Sequence, residues 1–359
     1  MLIVQKHYLK EFFKLFALIC AGIASIFSIL DLIGKLDDFI PNRPSLEGLF
    51  LYAFFNFPKY LLYLLPAAIL ICSLFIFSQA SRNREIVVIR ATGGRLRNLF
   101  QPFIFYGMLL TIVAFLIGEV VVPDFSTRSS ELKNSLKKKD KKLAFQEGTL
   151  WLRATDGSPV RIELYIPEKK LATGVSIFVT EKDSLKERIE AEEAEWRAVQ
   201  SSNGIWRLKN VTIYDIKAGE VRNAAEFDYP YLESPDFFSE WIKKPEEMGI
   251  GELYRYTERL RRVGFRNTKL LVDMNKKVSY PFINFFMMLF GISLSMRSRI
   301  GGGLFAAGLG LLISALYWFA YTMMLSLGYA GVVPPVVSAW LLPVVFGISS
   351  VYLFNRIQE

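Results

Sequence analysis

The sequence has few of the side chains on which catalytic and metal sites depend. Its 359 residues include two cysteines and one histidine. His7 lies in the basic N-terminal segment, and Cys20 and Cys72 both lie inside long apolar runs. These positions exclude a histidine-based catalytic triad and a histidine-rich metal site, and any disulfide would have to form within a bilayer. We therefore expect no metal and no catalytic residue, which argues against an enzyme.

A nucleotide-binding signature is also missing. The motif G-x-x-x-x-G-K-[ST] does not occur, and the Gly93-Gly94 pair is followed by Arg95 without a preceding strand. Ion-coupled carriers need ionisable residues deep within their apolar runs. Glu119 is the main candidate, and it lies near the end of its run. Energy for any transport must come from a partner, and we expect ATP and magnesium to be bound there.

The net charge of +9 does not indicate a nucleic-acid partner. The basic residues lie beside apolar runs and in a polar middle segment, and no basic stripe is interleaved with exposed aromatic residues. This distribution is typical of membrane topology and of contact with anionic lipids.

Six long apolar runs dominate the chain, in which 52% of the residues are hydrophobic. A helix needs about 20 mostly apolar residues to cross a bilayer. The runs are Phe12–Leu36, Phe57–Ser78, Leu99–Val122, Val278–Met296, Leu304–Leu327 and Val332–Phe354. They predict six transmembrane helices, three on each side of the polar middle segment.

The short loops indicate the orientation of these helices, because lysine and arginine concentrate on the cytoplasmic side. Three lysines lie before or at the beginning of the first run (Lys6, Lys10 and Lys14), and five arginines lie between the second and third runs. The short loops of the opposite side carry charges of both signs or none. Both termini are predicted in the cytoplasm and the middle segment outside, as in a multi-pass protein of a bacterial inner membrane.

The middle segment alternates apolar and polar residues over short stretches, which is typical of antiparallel strands. The stretches are Thr149–Ala154, Val160–Ile166, Gly174–Thr180, Arg188–Trp196, Gly204–Asp215 and Glu220–Tyr229. Breaks every ten or so residues predict an antiparallel sheet folded on itself. In the fifth stretch, Trp206, Leu208, Val211 and Ile213 point to one face only if the register changes after Leu208.

Two helices are predicted beside this sheet, a lysine-rich lead-in at Lys133–Lys142 and a last helix at Ile250–Val263. The fold class is a membrane α-helical protein with an inserted all-β domain. Its predicted parts are residues 1–122 with transmembrane helices 1–3, residues 123–276 with the β domain, and residues 277–359 with transmembrane helices 4–6.

The loop between the second and third runs has the pattern of a short amphipathic helix, at about residues 81–93. Ile86 and Ile89 fall near one side, Glu85 and the arginines lie around them, and Gly93 ends the helix. Such a helix suits docking into a groove on another protein. It also suits a surface helix that only covers the membrane interface, and the pattern leaves both open.

Several short motifs follow one another in a characteristic order. They are Tyr8 ahead of the first run, Pro58-Lys59, the loop Glu85–Gly93, Lys277 with Pro281, and Gly331–Pro335 before Trp340 and Pro343. With this order and spacing, the whole chain resembles the lipopolysaccharide-export permeases, the paired F and G subunits of the Lpt transporter. The segments Gly148–Trp151 and Ile205–Leu208 look more like the G subunit.

The resemblance implies a set of partners and a path for the substrate. An F-type and a G-type permease subunit would form a heterodimer that binds two copies of a cytoplasmic ABC ATPase. Lipopolysaccharide would enter laterally between spans one and five of opposite subunits. It would leave through periplasmic β-jellyroll-like domains toward a periplasmic bridge protein, with some inward side chains of the sheet lining a groove for acyl chains.

The resemblance also implies roles for particular residues. The loop helix would couple the permease to the ATPase, with Glu85 pairing with a basic residue of that partner. The residues of this coupling site are Arg84, Glu85, Ile86, Val88, Ile89, Arg90 and Gly93. Small residues on span five, Gly303, Ala307 and Gly310, would form a lateral gate, although ordinary packing within the chain explains them equally well.

Four lysines at span ends are candidate ligands for the lipid phosphates, because ammonium groups bind phosphate strongly in a partly dehydrated site. They are Lys35, Lys59, Lys276 and Lys277. The simpler interpretation is that these side chains extend to the membrane interface. Asp31, Asp37 and Asp38 surround Lys35, a departure from the basic character of the family at this position.

Two other functions remain open at this stage. An ATP-independent membrane scaffold or lipid-binding protein could share the topology. A lipoprotein-release or efflux-type ABC permease is also driven by a separate ATPase, but such proteins usually place their large domain after the first of four spans.

Overall fold

A computed structural model of the chain divides into two compact units. The membrane unit comprises Met1–Lys138, Pro245–Thr257 and Arg266–Glu359, and the β unit comprises Lys139–Lys244 and Glu258–Phe265. The structure describes residues 3–42, 44–136, 143–146, 149–181, 184–199, 202–216, 219–232, 234–235, 238, 243–262, 266–297 and 302–357. Residues 137–142 of the predicted lead-in helix, Gly148 and Val263 lie outside the described residues.

The membrane unit is helical. Its helices are α1 (Ile3–Gly34), α2 (Leu36–Phe39), α3 (Leu46–Arg82), α4 (Glu85–Ala91), α5 (Leu96–Leu116), α6 (Val122–Leu136), α7 (Ile250–Arg262, whose residues from Glu258 onward belong to the β unit), α8 (Thr268–Arg297), α9 (Gly303–Tyr329) and α10 (Pro335–Asn355). A π-helical turn, Ile117–Val121, joins α5 to α6. Within the described residues six helices are long and apolar enough to cross a membrane: α1, α3, the continuous α5–α6, α8, α9 and α10. The six predicted spans are confirmed, three before the strands and three after them.

The helices extend beyond the apolar runs that predicted them. Helix α3 has 37 residues, whereas its apolar run covers 57–78. It begins much earlier because the Ser45 side chain accepts a hydrogen bond from the Gly48 backbone N–H at 3.1 Å and so caps the first turn. Hydropathy marks the part of a helix that lies in lipid, and capping residues mark where the helix begins.

Helices α3 and α8 form the centre of the membrane unit. In each, 67% of the most apolar stretch is buried, against 17% in α1 and 22% in α9. Phe77 of α3 packs edge-on against Phe100 and Phe103 of α5, with ring centroids 5.2 and 4.9 Å apart. The exposed apolar faces of α1 and α9 are therefore available to lipid or to another membrane subunit.

Among its described residues, the β unit contains one antiparallel sheet of seven strands that lie side by side in chain order. The strands are β1 (Leu143–Gln146), β2 (Thr149–Arg153), β3 (Pro159–Ile166), β4 (Leu171–Glu181), β5 (Ser184–Val199), β6 (Ser202–Asp215) and β7 (Glu220–Tyr229). The six predicted strands are confirmed, and the fold class of a membrane helical protein with an inserted β domain is confirmed with them. The short β1 was missed, because four residues are too few for an alternating pattern to be detected.

A crease crosses the sheet at one level. At this level one residue on each of five strands is left out of the backbone pairing with its neighbours. These residues lie opposite one another across the sheet: Glu163, Gly174, Glu192, Asn210 and Ala225. Gly174 and Asn210 have φ angles of 63° and 51°. In β6 the buried positions change from Leu208 to Val211 across this level, as the sequence pattern predicts. After each of these residues, the alternation of inward-pointing side chains moves by one position along the strand. Both halves of a strand therefore contribute side chains to the same core.

Gly174 gives a stability prediction for this crease. A Cβ at Gly174 would lie 2.7 Å from the Glu163 Cγ, whereas one at Gly157, where φ is 86°, would meet nothing within 4 Å. An alanine at positive φ costs roughly 1–2 kcal/mol, and the clash at Gly174 adds about 1–3 kcal/mol. We expect Gly174→Ala to lower the temperature at which protease cleaves residues 143–229 of the purified protein clearly more than Gly157→Ala does. Equal shifts for both variants would contradict this account of the crease.

The core of the β unit is aromatic on one side. Trp206 is 1% exposed and packs against Tyr165 and Phe238, with ring centroids 6.2 and 5.5 Å away. On the opposite face, the Arg207 guanidinium donates to the Asp228 carboxylate at 2.8 Å and holds the pKa of that carboxyl below its usual value. Because this ion pair is half exposed, it contributes little to stability.

Candidate functional site

The loop helix α4 lies between α3 and α5 at one end of the membrane unit. Arg84, with a φ of 61°, turns the chain sharply out of α3, and Gly93, with a φ of 76°, ends the turn after α4. Ile86 is buried in the membrane unit, whereas Val87 and Val88 are 59% and 60% exposed. Helix α4 is therefore fixed by one apolar side chain and presents two others to its surroundings.

The remaining predicted coupling residues lie around this apolar surface. Glu85 and Arg90 are exposed, and Ile89 is half-buried against the membrane core. The structure therefore brings Arg84, Glu85, Val88 and Arg90 together on the accessible side of one seven-residue helix. Whether an ATPase binds there stays a prediction.

The first two turns of α1 hold this loop at both of its ends. The Tyr8 hydroxyl donates to the Glu85 carboxylate, and the Gln5 side-chain amide donates to the Asn98 carbonyl at the start of α5, at 2.6 Å. In the sequence, Tyr8 stands out only as a feature of the family that the chain resembles. Its contact with Glu85, 77 positions away, could not be read from the pattern.

The end of α3 also contacts the beginning of α9. The Gly303 backbone N–H donates to the Gln79 side chain at 3.4 Å, and a Cβ at Gly302 would lie 2.1 Å from the Arg82 guanidinium. Span five therefore begins directly against the last turn before the loop helix, and a side chain at Gly302 would have to displace the Arg82 guanidinium.

A cavity of about 550 Å³ opens within the bundle and is lined by α1, α3, α8 and α9. We call it the bundle cavity. Its walls are mostly apolar and aromatic, with Phe27, Ile283, Met287 and Trp318 among them. Its volume is in the range of sites that bind drug-sized or larger apolar ligands.

The bundle cavity also contains hydroxyl groups without partners. Tyr317, Tyr321 and Tyr329 follow one another at intervals of four or eight residues and therefore lie on one face of α9. Within the described part of the chain, the buried hydroxyls of Ser314 and Tyr317 have no hydrogen-bond partner. Buried polar groups are normally paired, and these two hydroxyls, which are closed off within the wall, are exceptions. The regular spacing of tyrosines in an apolar run is a sequence signal that was missed.

A cluster of charged side chains adjoins the bundle cavity and lines a smaller pocket of about 70 Å³. We call it the charged cluster. Its members are Lys59, Glu119, Glu246, Asp273, Lys276 and Lys277. The structure thus brings together three of the four candidate lysines, and it adds three carboxylates.

Each carboxylate of the charged cluster has a partner. Glu246 forms an ion pair with Lys59, and Asp273 accepts a hydrogen bond from the Tyr329 hydroxyl at 2.6 Å. Glu119 accepts the backbone N–H of Ile250 at 2.8 and 2.7 Å, at the beginning of α7. A carboxylate there suits the positive end of the helix dipole. Glu119 therefore holds the beginning of α7 in place. This structural role agrees with its position near the end of the third apolar run.

Lys276 and Lys277 have no such neutralisation. Lys276 places its ammonium 5.3 Å from the centre of the Tyr63 ring, and Lys277 is half-buried. Among the residues that the structure describes, neither ammonium lies within 4 Å of a carboxylate. Two adjacent cations therefore line the pocket without a direct ion pair, beside the three carboxylates of the charged cluster. Asp273, one turn before Lys276, is a neighbouring carboxylate that helix spacing could have indicated.

Lys35 lies outside this arrangement. Its ammonium pairs with Asp31 at 2.8 Å and donates to the Tyr52 hydroxyl at 2.7 Å. It lines neither cavity, and its candidate role in lipid binding stays a prediction.

The small residues of α9 pack within the chain. A Cβ at Gly303 would lie 2.7 Å from the Phe75 ring, and one at Gly310 would lie 3.2 Å from the Ile71 backbone. Ala307, one turn after Gly303, is half-buried. Close approach of α9 to α3 explains both glycines, and a role of the three residues in a lateral gate stays a prediction.

Potential metal ligands do not come together. Within the described ranges no group of three histidine, cysteine, aspartate or glutamate side chains could hold a metal ion.

Comparison with known families gives one match that spans almost the whole chain. The sequence model of a family described as "Lipopolysaccharide export system permease LptF/LptG" matches residues 6–356. The match includes all six apolar helices, the strands, the loop helix and the charged cluster. No curated protein matches the sequence.

Proposed function

Because the chain belongs to the LptF/LptG family of lipopolysaccharide export permeases, we propose that it is the subunit through which a partner ATPase drives lipopolysaccharide out of the inner membrane. The family and the six apolar helices identify a multi-pass inner-membrane permease subunit that is not itself an enzyme. The proposal adds the energy source, the path of the lipid and the partners.

The bundle cavity is the observation that carries the proposal. Its apolar walls suit acyl chains, because each buried methylene group contributes about 0.8 kcal/mol. An amphiphile with several acyl chains fits such walls better than a small polar solute does.

The charged cluster suits the head group of the same molecule. Lys276 lines both the bundle cavity and the smaller pocket, and Lys277 lies beside it. Their ammonium groups can bind phosphate groups by charge-assisted hydrogen bonds, in competition with the carboxylates of Glu119, Glu246 and Asp273 in the same pocket. Lys59 is already paired with Glu246, and a phosphate would have to displace that carboxylate. We therefore place the head group at Lys276 and Lys277 first.

The loop helix suits the ATPase. Val87 and Val88 are exposed beside the charged side chains of Glu85 and Arg90, a combination of apolar centre and charged rim that is typical of docking surfaces. In this arrangement Glu85 pairs with a basic residue of the ATPase. ATP is cytoplasmic, so α4 and both termini lie in the cytoplasm and the β unit lies in the periplasm.

The exposed apolar faces of α1 and α9 suit the second permease subunit. Leu18 on α1 and Phe319 on α9 are 70% and 67% exposed. We propose that this chain is the G-type subunit and that these helices pair with an F-type subunit, between which the lipid enters. Two copies of the ATPase and a periplasmic bridge protein, which accepts the lipid from the β unit, complete the assembly.

The position of the sheet in the chain argues against the alternative of a lipoprotein-release or efflux-type ABC permease. All seven strands lie between the third and fourth apolar helices, whereas lipoprotein-release permeases usually carry their large domain after the first span. An ATP-independent scaffold would need no ATPase. The reconstitution experiment described next distinguishes it from the proposed permease.

Reconstitution of the complete assembly tests the proposal. The chain is co-expressed with neighbouring membrane and ATPase genes, purified and placed in liposomes that contain lipopolysaccharide. We expect the ATPase and a second permease subunit to co-purify, and lipopolysaccharide to pass to a soluble periplasmic acceptor only when ATP is hydrolysed. Transfer at the same rate without the ATPase would establish the scaffold or lipid-binding function instead.

A further inference from the structure

Helix α1 contacts the loop helix through one directional interaction, from Tyr8 to Glu85. Tyr8 is 5% exposed and packs on the Phe77 ring at 6.0 Å. Its hydroxyl, at the far side of the ring, donates to one oxygen of the Glu85 carboxylate. A tyrosine held in this way can hydrogen-bond only within a narrow range of positions of α4.

The Tyr8 hydroxyl leaves Glu85 accessible to a partner. The second carboxylate oxygen accepts from the Asn83 side chain at 3.1 Å, and the Glu85 side chain stays exposed. A carboxylate can accept about four hydrogen bonds. Tyr8 and Asn83 therefore fix the direction of the carboxylate and leave acceptor positions for a cation of another protein.

Helix α1 continues from Tyr8 to the bundle cavity. Ile23 and Phe27, farther along the same helix, line that cavity. A helix rises about 1.5 Å per residue, so Ile23 lies roughly 22 Å from Tyr8 along one rigid element. The chain does not connect α1 directly to α4, which follows α3. The Tyr8–Glu85 hydrogen bond is thus a direct polar link from the loop helix to the helix that lines the cavity.

We propose that Tyr8 is a positioning residue that orients Glu85 for the ATPase and transmits movement of α4 to α1, and so to the wall of the bundle cavity. The inference rests on the proposed function of α4 as the docking site of the ATPase. When the bound ATPase moves Glu85, the hydrogen bond moves α1 with it. Without the hydroxyl, α4 can still dock, but α1 no longer follows.

The substitution Tyr8→Phe tests the link in the complete assembly. It keeps the ring and its packing and removes only the hydroxyl. Tyr106→Phe is the matched control, because Tyr106 also packs against α1, at 5.2 Å from Phe13, and its hydroxyl has no hydrogen-bond partner among the described residues. Two quantities are measured in the same liposomes, ATP hydrolysis and transfer of lipopolysaccharide to the acceptor.

We expect Tyr8→Phe to lower the lipid transferred per ATP hydrolysed at least about fivefold, since hydrogen bonds to a charged group are among the stronger ones. Recovery of the ATPase with the complex should stay within about twofold of the wild type, as should the properties of Tyr106→Phe. In the double variant Tyr8→Phe, Glu85→Ala, the second substitution should add less to the loss of transfer per ATP than it does alone, because alanine has no acceptor and the two residues act through one hydrogen bond.

Other outcomes would overturn the inference. An unchanged ratio of transfer to hydrolysis excludes the link. A parallel fall in protein yield, ATPase recovery and transfer shows that the hydroxyl only stabilises the fold. If the wild-type assembly moves no lipid, the proposed function itself fails and the link with it. If the wild type moves lipid and Tyr8→Phe equals it, only the link fails.

Discussion

Replacing Glu85 by lysine is expected to reduce the amount of ATPase that co-purifies with the permease at least about tenfold, which corresponds to about 1.4 kcal/mol of binding free energy. ATP-dependent transfer of lipopolysaccharide should fall with it. The substitution puts a like charge opposite the basic residue of the partner, and such a juxtaposition costs several kcal/mol when it is dehydrated.

The same substitution also acts within the chain. Lysine has no acceptor, so the hydrogen bonds from Tyr8 and Asn83 are lost as well. Glu85→Gln separates the two effects, because its amide oxygen can still accept from Tyr8 while the negative charge is absent. We expect Glu85→Gln to weaken co-purification less than Glu85→Lys does.

Glu11→Lys is the matched control. Glu11 lies exposed on α1, one turn beyond Tyr8, and its replacement changes the net charge by the same amount at the same end of the bundle. We expect it to retain the ATPase. Retention of the ATPase by Glu85→Lys at the wild-type level would remove α4 from the docking surface, whatever the effect on transport.

Much of the fold could be predicted from the sequence because its elements depend on local pattern. Apolar runs of about 20 residues specify membrane helices almost independently of context, and alternation with turn residues specified six of the seven strands. Even the crease was visible, as the change of inward face after Leu208. The exact division of the chain at residues 122 and 276 stays a prediction.

The candidate site could be predicted only in part, because tertiary contacts create it. Lys276 and Lys277 could be recognised in the sequence as basic residues. Whether they form direct ion pairs depends on Glu246 and Asp273, whose partners lie on other helices. Tyr8 and Glu85 lie far apart in sequence, and no local pattern relates them. The bundle cavity is formed by four helices together. The spacing of the tyrosines on α9 was the only signal of it in the sequence.

Filling the bundle cavity is expected to stop transport while leaving the ATPase in place. Ala315 lines the cavity on α9, and Ala315→Trp would put an indole ring into the space assigned to acyl chains. If the ring displaces only two methylene groups, the loss is about 1.6 kcal/mol at 0.8 kcal/mol each, more than a tenfold change in binding. We therefore expect at least an about tenfold lower rate of lipopolysaccharide transfer.

The control is Leu316→Trp, one residue farther along α9. Leu316 is 60% exposed and does not line the cavity, so the same ring is added outside the bundle. Both variants should recover the ATPase in wild-type amounts, since α4 is untouched. Bound lipid, measured by mass spectrometry of the purified complex, should be depleted in Ala315→Trp alone. Normal lipid content and transfer in Ala315→Trp would show that the lipid takes another path, because a substrate that needs this cavity cannot share it with an indole ring.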